Sequence, residues 1–309
     1  MSFAQSSAPL TSVPVAQRRD VNEIRISFEF FPPKTETMEH QLWDAVETLA
    51  PLAPSFMSVT YGAGGSTRER THAVVARIQN EIGVPAAAHL TCVNATRQDI
   101  HTIADAYWQA GIRHIVALRG DPPGGIGGAY VPTAGGYGYA NELVAGLLAS
   151  HPFEISVAAY PQCHPQATSP DADLDALKRK IDCGATRAIT QFFFDTDCYA
   201  RFLERAHKAG ISVPIVPGIL PLSNYARAAE TVLGVAVPAR VRNLFVGLDG
   251  DAEARRAVAT EVATEHCQDL YRLGVRQFHF YTLNRAELVS DICRLLGVKA
   301  LSSQDQSIA

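Results

Sequence analysis

Short apolar runs rich in β-branched and aromatic residues alternate along this chain with longer stretches whose apolar residues recur every three or four positions. The runs span 24–31, 56–60, 86–91, 114–119, 155–160, 188–193, 213–219 and 277–281, and read as buried strands. Amphipathic segments at 39–49, 67–82, 97–110, 141–148, 174–183, 198–209 and 224–233 lie between them, and 285–296 follows the last run. A strand followed each time by a helix is the pattern of parallel strands joined by crossover helices. Eight such units predict an α/β protein closed into a (β/α)8 TIM barrel in preference to an open doubly wound sheet. Two further helical stretches, 237–246 and 251–273, are inserted before the eighth strand. With no linker dividing the pattern, we expect a disordered or extended tail over 1–22, a single catalytic barrel over 23–299, and a short tail over 300–309.

Composition narrows the class. A hydrophobic content of 47% with 19% charged residues is that of a water-soluble chain with a substantial core. The net charge of -4 argues against general nucleic-acid or anionic-membrane binding, while leaving room for a local basic pocket. The cysteines Cys92, Cys163, Cys183, Cys198, Cys267 and Cys293 are scattered and form no C-x-x-C pair, which suits a reducing, cytoplasmic setting. The first twenty residues are Ser/Ala/Pro-rich without a continuous apolar stretch, so they read as a tail and not as a secretory signal.

A barrel carries its chemistry at the carboxyl ends of its strands. Here those ends offer Glu29; Thr60-Tyr61-Gly62-Ala63; His89-Leu90-Thr91; Arg119-Gly120-Asp121; Tyr160-Pro161-Gln162-Cys163-His164; Gln191; Pro217-Gly218-Ile219; and Tyr281-Thr282-Leu283-Asn284-Arg285. So much polar and glycine chemistry at one rim exceeds what packing demands and points to an enzyme. Glu29 lies in an aromatic run stopped by Pro32-Pro33, which cannot continue a strand. It reads either as a structural ion-pair partner or as a buried acid whose pKa is raised by desolvation. Asp121 reads either as a turn-capping or Arg119-paired carboxylate, or as a second acid of the site.

The glycine-rich Tyr61–Gly65 stretch matches neither G-x-G-x-x-G nor a P-loop. The segment 122–138, glycine-rich and interleaved with Tyr130, Tyr137 and Tyr139, reads either as a mobile lid or cofactor wall or as a disordered loop, and its place just after Asp121 favours the first. His89 and His164 stand without neighbouring Asp, Glu or Cys ligands, so no metal is expected. Asp171, Asp173 and Asp175 lack the glycine and terminal glutamate of a calcium loop and read as acids at a helix N-terminus. Lys178-Arg179-Lys180, late in the same helix, either complements its C-terminus or clamps an anionic phosphate.

The blocks at these strand ends resemble bacterial methylenetetrahydrofolate reductase over about residues 24–299. They include Phe28-Glu29-Phe30-Phe31-Pro32-Pro33, Ser58-Val59-Thr60-Tyr61-Gly62-Ala63, Ala117-Leu118-Arg119-Gly120-Asp121, Gln191-Phe192-Phe193-Phe194-Asp195 and Phe278-His279-Phe280-Tyr281-Thr282-Leu283-Asn284-Arg285. The resemblance implies a flavoprotein reducing 5,10-methylenetetrahydrofolate to 5-methyltetrahydrofolate, so supplying methyl groups for methionine synthesis and one-carbon metabolism. It further implies a ping-pong exchange in which NADH or NADPH reduces FAD and leaves before the folate binds the same face. By position it makes Glu29 the general acid toward the folate N10, Asp121 a stabiliser of the cationic iminium and a flavin neighbour, and Gln191 a contact to both substrates. Thr60, Tyr225 and Arg285 become substrate contacts, the last to a folate carboxylate. Tyr61, Ala63, His89, Arg119, Gly120, Asp121, Tyr139, Ala140, Tyr160, His164, Ala167, Asp173, Arg179 and Lys180 fall on FAD positions.

This chain departs from the family pattern at Tyr225, where a phenylalanine is usual, at Ala176, where an asparagine is expected, and at Gly64-Gly65. The resemblance also implies a homo-oligomer and a short form without a regulatory domain. Two alternatives remain open at this point: another flavin barrel, such as an amine dehydrogenase of the proline-oxidising kind, and a binding protein that holds folate or flavin without turnover.

Overall fold

The computed structural model describes residues 23–62, 68–122, 128–221, 235 and 237–300. Ala63, Gly64, Gly65, Tyr225, the helix expected at 224–233, part of the glycine-rich segment and both tails lie outside the described residues. The described strands are β1 (Arg25–Phe30), β2 (Met57–Val59), β3 (Ala86–Thr91), β4 (His114–Leu118), β5 (Glu154–Ala159), β6 (Arg187–Thr190), β7 (Ile215–Val216), β8 (Gly218–Ile219) and β9 (Gln277–Tyr281). All pair in parallel in the order β7-β6-β5-β4-β3-β2-β1-β9-β8.

Nine segments occupy the eight expected places because the seventh strand is split. Pro217 has no N–H to donate, so the ladder breaks there. Ile215–Val216 pair with β6 and Gly218–Ile219 with β9, so the two halves carry the sheet round to its own beginning. The Pro217 carbonyl accepts from His279 N at 3.0 Å, and Gly218 N donates to Thr190 Oγ1 at 2.9 Å. A side chain at Gly218 would overlap the Thr190 carbonyl oxygen and meet the Tyr281 ring at 2.6 Å. Only glycine fits this seam, across which the Tyr281 hydroxyl donates to Thr190 O at 2.7 Å.

Helices α1 (Glu36–Leu49), α2 (Arg68–Arg77), α3 (Arg97–Gln109), α4 (Ala140–Ser150), α5 (Pro170–Asp182), α6 (Thr196–Lys208), α7 (Ala239–Leu244), α8 (Ala252–Arg272) and α9 (Glu287–Leu295) surround the strands. Their starts are written in the sequence. Thr35, Ser169, Asp195 and Asp251 cap with their side chains, and Thr96 with Asp99 forms a reciprocal capping box. The helix expected over 67–82 ends as α-helix at Arg77 and continues as a π-helical turn, Ile78–Ile82, closed by Gly83 at φ 76°. The two inserted helices before the eighth barrel strand are present as α7 and α8. No helix among the described residues is long and apolar enough to cross a membrane.

Alternation along the strands sorts two interiors. Phe28, Phe30, Ile115, Ala117, Ile155, Val157, Phe278 and Phe280 face the helices and join one large core with them. The opposite faces point into the barrel, where Phe56, Ala87, Val116 and Ile189 form a small separate cluster. The buried Ser27, His89, His114, Ser156 and His279 share that barrel interior by the same alternation. A barrel is ordinarily filled by branched aliphatic side chains. This one pairs a small apolar cluster with a buried polar set.

Candidate active site

Glu29 is the penultimate residue of β1, and its side chain is 18% exposed at the carboxyl end of the barrel. Its Oε2 lies 3.3 Å from His89 Nε2 and 3.5 Å from His279 Nε2. Strand alternation brings the three together, for β1 lies beside β9 and β3 is two strands away. His279, fully buried, has its Nδ1 2.8 Å from Ser27 Oγ, so one chain of polar groups runs Ser27, His279, Glu29, His89.

The sequence leads one to expect a raised Glu29 pKa, and the structure corrects this. Desolvation does push the carboxyl up, but the two imidazoles outweigh it and hold it at about 2. His279 is itself driven down by burial, against the pull of Glu29. The burial was legible from the aromatic run; the two histidines, 60 and 250 residues away, were not recognisable as its neighbours.

Two residues that sequence reasoning left without a role fix this acid in place. Thr282 donates from both N (3.1 Å) and Oγ1 (2.7 Å) to the Glu29 carbonyl. Asn284, buried, accepts from Phe31 N at 3.0 Å and donates to Phe31 O at 2.9 Å. The turn holding them is unusual, with Leu283 at φ 51° and Asn284 at φ 55°. Asparagine tolerates this left-handed region; leucine does so at a cost. The turn also leaves Leu283 47% exposed and Arg285 exposed at the rim.

The remaining expected residues gather round the same mouth. Gln191 follows β6, and its Oε1 accepts from Phe192 N at 3.0 Å, which leaves the amide NH2 as its unused end. Thr60 follows β2 with its N bonded to Phe30 O. Tyr61 beside it is half-buried, and burial raises its phenol. Asp121 is exposed just after β4, with Tyr160 and His164 within electrostatic reach. Gly120 takes φ 84°, and a Cβ there would meet Val93 Cγ1 at 2.5 Å and Thr91 Cβ at 2.9 Å, so the turn that presents Asp121 requires glycine.

A second group lies across the β4 to β5 side. The Tyr160 and His164 rings meet edge-on at 4.6 Å. His164 N donates to the Asp173 carboxylate at 3.0 Å, and Ala167 N donates to the His164 carbonyl. Asp173 thus does sit in the first turn of α5, and burial raises its carboxyl. Lys180, near the end of α5, donates to the Ala158 carbonyl at 2.6 Å. Burial brings its ammonium down to about 8, opposed by Asp173 and assisted by Arg179. Arg179 is exposed, with no carboxylate in ion-pair range among the described residues. Ala176, on the same helix, is half-buried.

The described part of the glycine-rich segment is stapled in place. The Tyr130 hydroxyl donates to Gly138 O at 2.7 Å, and the Arg119 guanidinium lies 4.5 Å from the Tyr130 ring centre. Arg119 also donates to Gln166, whose amide donates to Gly128 O. Tyr139 stands at the N-cap position of α4, without a side-chain capping bond, ahead of buried Ala140; the residue is 53% exposed and its ring centre lies 5.6 Å from that of Tyr130. The sequence left a lid or cofactor wall and a disordered loop open; these bonds tether residues 128–138 to Arg119 and Gln166.

The arrangement can therefore hold a proton near a carboxylate flanked by imidazoles, present an amide and a carboxylate to a heterocycle, and offer cations and an exposed aromatic to an extended anionic cofactor. Comparison with known proteins gives the chain a family. The methylenetetrahydrofolate reductase family model matches residues 15–297. The chain is 50% identical over 279 residues to the 5,10-methylenetetrahydrofolate reductase of Escherichia coli, covering 90% of this chain and 92% of that one. It is 51% identical to that of Salmonella typhimurium with the same coverage. A probable methylenetetrahydrofolate reductase (NADH) of Oryza sativa is 36% identical, with 91% of this chain matching 50% of that longer one. Among solved structures, an uncharacterised Clostridium thermocellum protein that binds two copies of 5-methyl-5,6,7,8-tetrahydrofolic acid shares the fold, at a TM-score of 0.58 and 13% identity, over 88% of this chain and 94% of that one.

Proposed function

This chain belongs to the methylenetetrahydrofolate reductase family, and we propose that it reduces 5,10-methylenetetrahydrofolate with a nicotinamide nucleotide through bound FAD, residues 23–299 acting as one catalytic barrel. The observation that carries this reading is the cluster of Glu29, His89 and His279 at the barrel mouth, an acid with proton-bearing neighbours where the reaction needs one. The residues present also fit FAD. A barrel without a Rossmann fingerprint offers a buried ammonium at Lys180, an uncommitted guanidinium at Arg179 and an exposed aromatic at Tyr139, a donor set suited to a pyrophosphate and a ring. Tyr61, Ala63, His89, Arg119, Gly120, Asp121, Ala140, Tyr160, His164, Ala167 and Asp173 complete the proposed cofactor surface.

When bound, FAD supplies the two-electron exchange between the nicotinamide donor and the folate. The chain's own residues do the rest. Glu29 delivers a proton to the folate N10, so that the five-membered ring opens to the 5-iminium cation that accepts hydride. In the open site Glu29 is a carboxylate, because two imidazoles outweigh desolvation. A ring system covering the mouth removes its remaining exposure and strengthens desolvation, the one influence that raises its pKa. Asp121, exposed at the mouth, faces the developing cation with its charge. Gln191 turns its amide NH2 to the pterin or to the nicotinamide, while Thr60, Tyr225 and Arg285 hold the substrates' outer parts, Arg285 through a folate carboxylate.

The test is anaerobic stopped-flow with the purified flavoprotein. NADH, the donor named for the rice relative, is mixed first, then NADPH in its place, then 5,10-methylenetetrahydrofolate. Loss of flavin absorbance with the nucleotide and its return with the folate support the reading. Flavin that bleaches but ignores the folate points to another flavin oxidoreductase, and a protein that retains no flavin removes the cofactor from the proposal.

Lys180 gives the cofactor surface a pH signature. Its ammonium loses its proton at about 8 in the free protein, and an adjacent pyrophosphate would pull that value up. Below pH 8 the cation is already present, so FAD affinity is flat. Above pH 8 binding must take up a proton, and affinity is expected to fall roughly tenfold per pH unit until the complex itself titrates. Calorimetry at pH 9 in two buffers of different ionisation enthalpy checks this. Equal heats in both would place Lys180 away from the phosphates.

A further inference from the structure

The polar interior continues below the catalytic mouth, where it contains a permanent cation that the mechanism above does not use. Arg187, at the start of β6, points into the barrel from its amino end, with Nη1 2.6 Å from Glu154 Oε1 on β5. Its guanidinium carbon lies 5.2 Å from the centre of the buried Phe56 ring. Phe56 in turn stacks on the His279 imidazole at 5.6 Å and 21°. It also meets the His114 ring edge-on at 4.6 Å, and His114 Nε2 is 2.8 Å from Ser156 Oγ. Through Phe56 a continuous column thus joins the ion pair at the floor to His279, which touches Glu29 at the mouth.

An ion pair closing the floor would be explanation enough if its surroundings were apolar. Here the groups above it are titratable, and few ions from water screen them inside the barrel. The charged and titratable groups facing His279 are Glu29 on β1, His89 on β3, His114 on β4, Arg187 on β6, and Tyr281 on its own strand, whose ring is 5.4 Å away, while Glu154 on β5 is exposed at the floor and pairs with Arg187. Of these, Arg187 carries a positive charge that does not titrate in the working range, and its ion-pair partner Glu154 offsets part of it from the exposed side. Arg187 opposes protonation of His279, whereas Glu29 favours it.

We propose that Arg187 is a remote positioning residue: its charge, partly masked by Glu154, sets how the mouth's proton divides between His279 and Glu29. A cationic His279 would lock Glu29 as its carboxylate partner; a neutral one leaves Glu29 able to take up and deliver a proton. The shifts of His114 and His279 agree in direction, both lying below an ordinary histidine through burial first, with Arg187 acting the same way. The proposal deepens the reading of Glu29 as the acid, and its primary test does not depend on that reading.

That test is the titration of His279 followed by nuclear magnetic resonance of the holoenzyme with 15N-labelled histidine, assigned through His279→Gln. Roughly 10 Å of separation at an effective dielectric of about 20 gives a shift of about one pH unit at most. Arg187→Gln is expected to raise the His279 midpoint by a few tenths to one unit. Glu154→Gln, which unmasks the cation, is expected to lower it, and Arg187→Lys to leave it near the wild-type value. In the folate half-reaction, Arg187→Gln, which removes a positive charge, should move the pH profile to higher pH and Glu154→Gln to lower pH, with reduction by NADH as the control for folding. Should Arg187→Gln fail to fold, the opposed pair Glu154→Gln and Arg187→Lys still decides. An unmoved His279 midpoint in the charge-changing variants, or equal shifts in Arg187→Gln and Arg187→Lys, would overturn the proposal and leave the floor pair a packing feature.

Discussion

Glu29→Gln is expected to preserve reduction of the bound flavin by NADH and to slow folate-driven reoxidation by on the order of 10²- to 10⁴-fold, the range for removing a positioned general acid. The two half-reactions should separate because, in the proposed mechanism, only the second needs a proton delivered to N10. Glutamine keeps the shape of the side chain and can still accept a hydrogen bond from either imidazole, so the cluster around it should hold. The pH sign follows from the geometry. On the proposed mechanism the folate half-reaction requires protonated Glu29, so in the wild type it should decline as pH rises through the value that carboxyl has in the complex. In the open site the carboxyl lies at about 2, so that decline reports how far the bound substrate raises it. The variant should lose this dependence. Equal loss in both half-reactions would make Glu29 a structural residue, and the proposed mechanism would have to start from another acid.

Which parts of this site were readable beforehand follows from the range of the interactions involved. The barrel was readable because each strand and helix carries its own period, and because capping residues such as Thr35, Thr96 and Ser169 mark helix starts locally. Glu29 stood out because a carboxylate inside an aromatic run is a local anomaly. Its lowered pKa was not readable, since it depends on His89 and His279, whose approach is settled only once β1 pairs with β9 and the barrel closes. The split at Pro217 was in plain view, yet the run 213–219 looked continuous in hydrophobicity. Proline removes a hydrogen-bond donor without removing apolar character, and periodicity does not register that loss. The tethering of residues 128–138 likewise depends on tertiary bonds from Arg119 and Gln166, which composition alone cannot supply.

Asn284 was the least legible of the important residues, and its replacement by alanine is expected to cost on the order of 4 kcal/mol. The side chain satisfies both backbone groups of Phe31, where strand one ends against Pro32-Pro33. Alanine would strip a partner from each, at about 1–3 kcal/mol per buried unsatisfied group. It would also sit at φ 55° without the local polar side chain that makes this region tolerable, at about 1 kcal/mol more. Comparison of variants isolates the contributions. Asn284→Gly relieves the backbone strain but loses both bonds, so it should fall between wild type and Asn284→Ala in thermal midpoint. Asn284→Asp retains the acceptor for Phe31 N and loses the donor to Phe31 O.

Function should suffer beyond what stability predicts, because the same turn carries Thr282 onto the Glu29 carbonyl. Loosening it displaces the acid from its histidines while leaving the distant residues around Lys180 alone. The expected signature is a lowered thermal midpoint, FAD affinity near wild type, and a folate half-reaction slowed more than reduction by NADH. Scanning calorimetry and the two half-reactions measured below the new midpoint would show it. A variant that is destabilised yet runs both half-reactions at unchanged relative rates would mean that the turn holds the fold together and that Glu29 keeps its geometry without it.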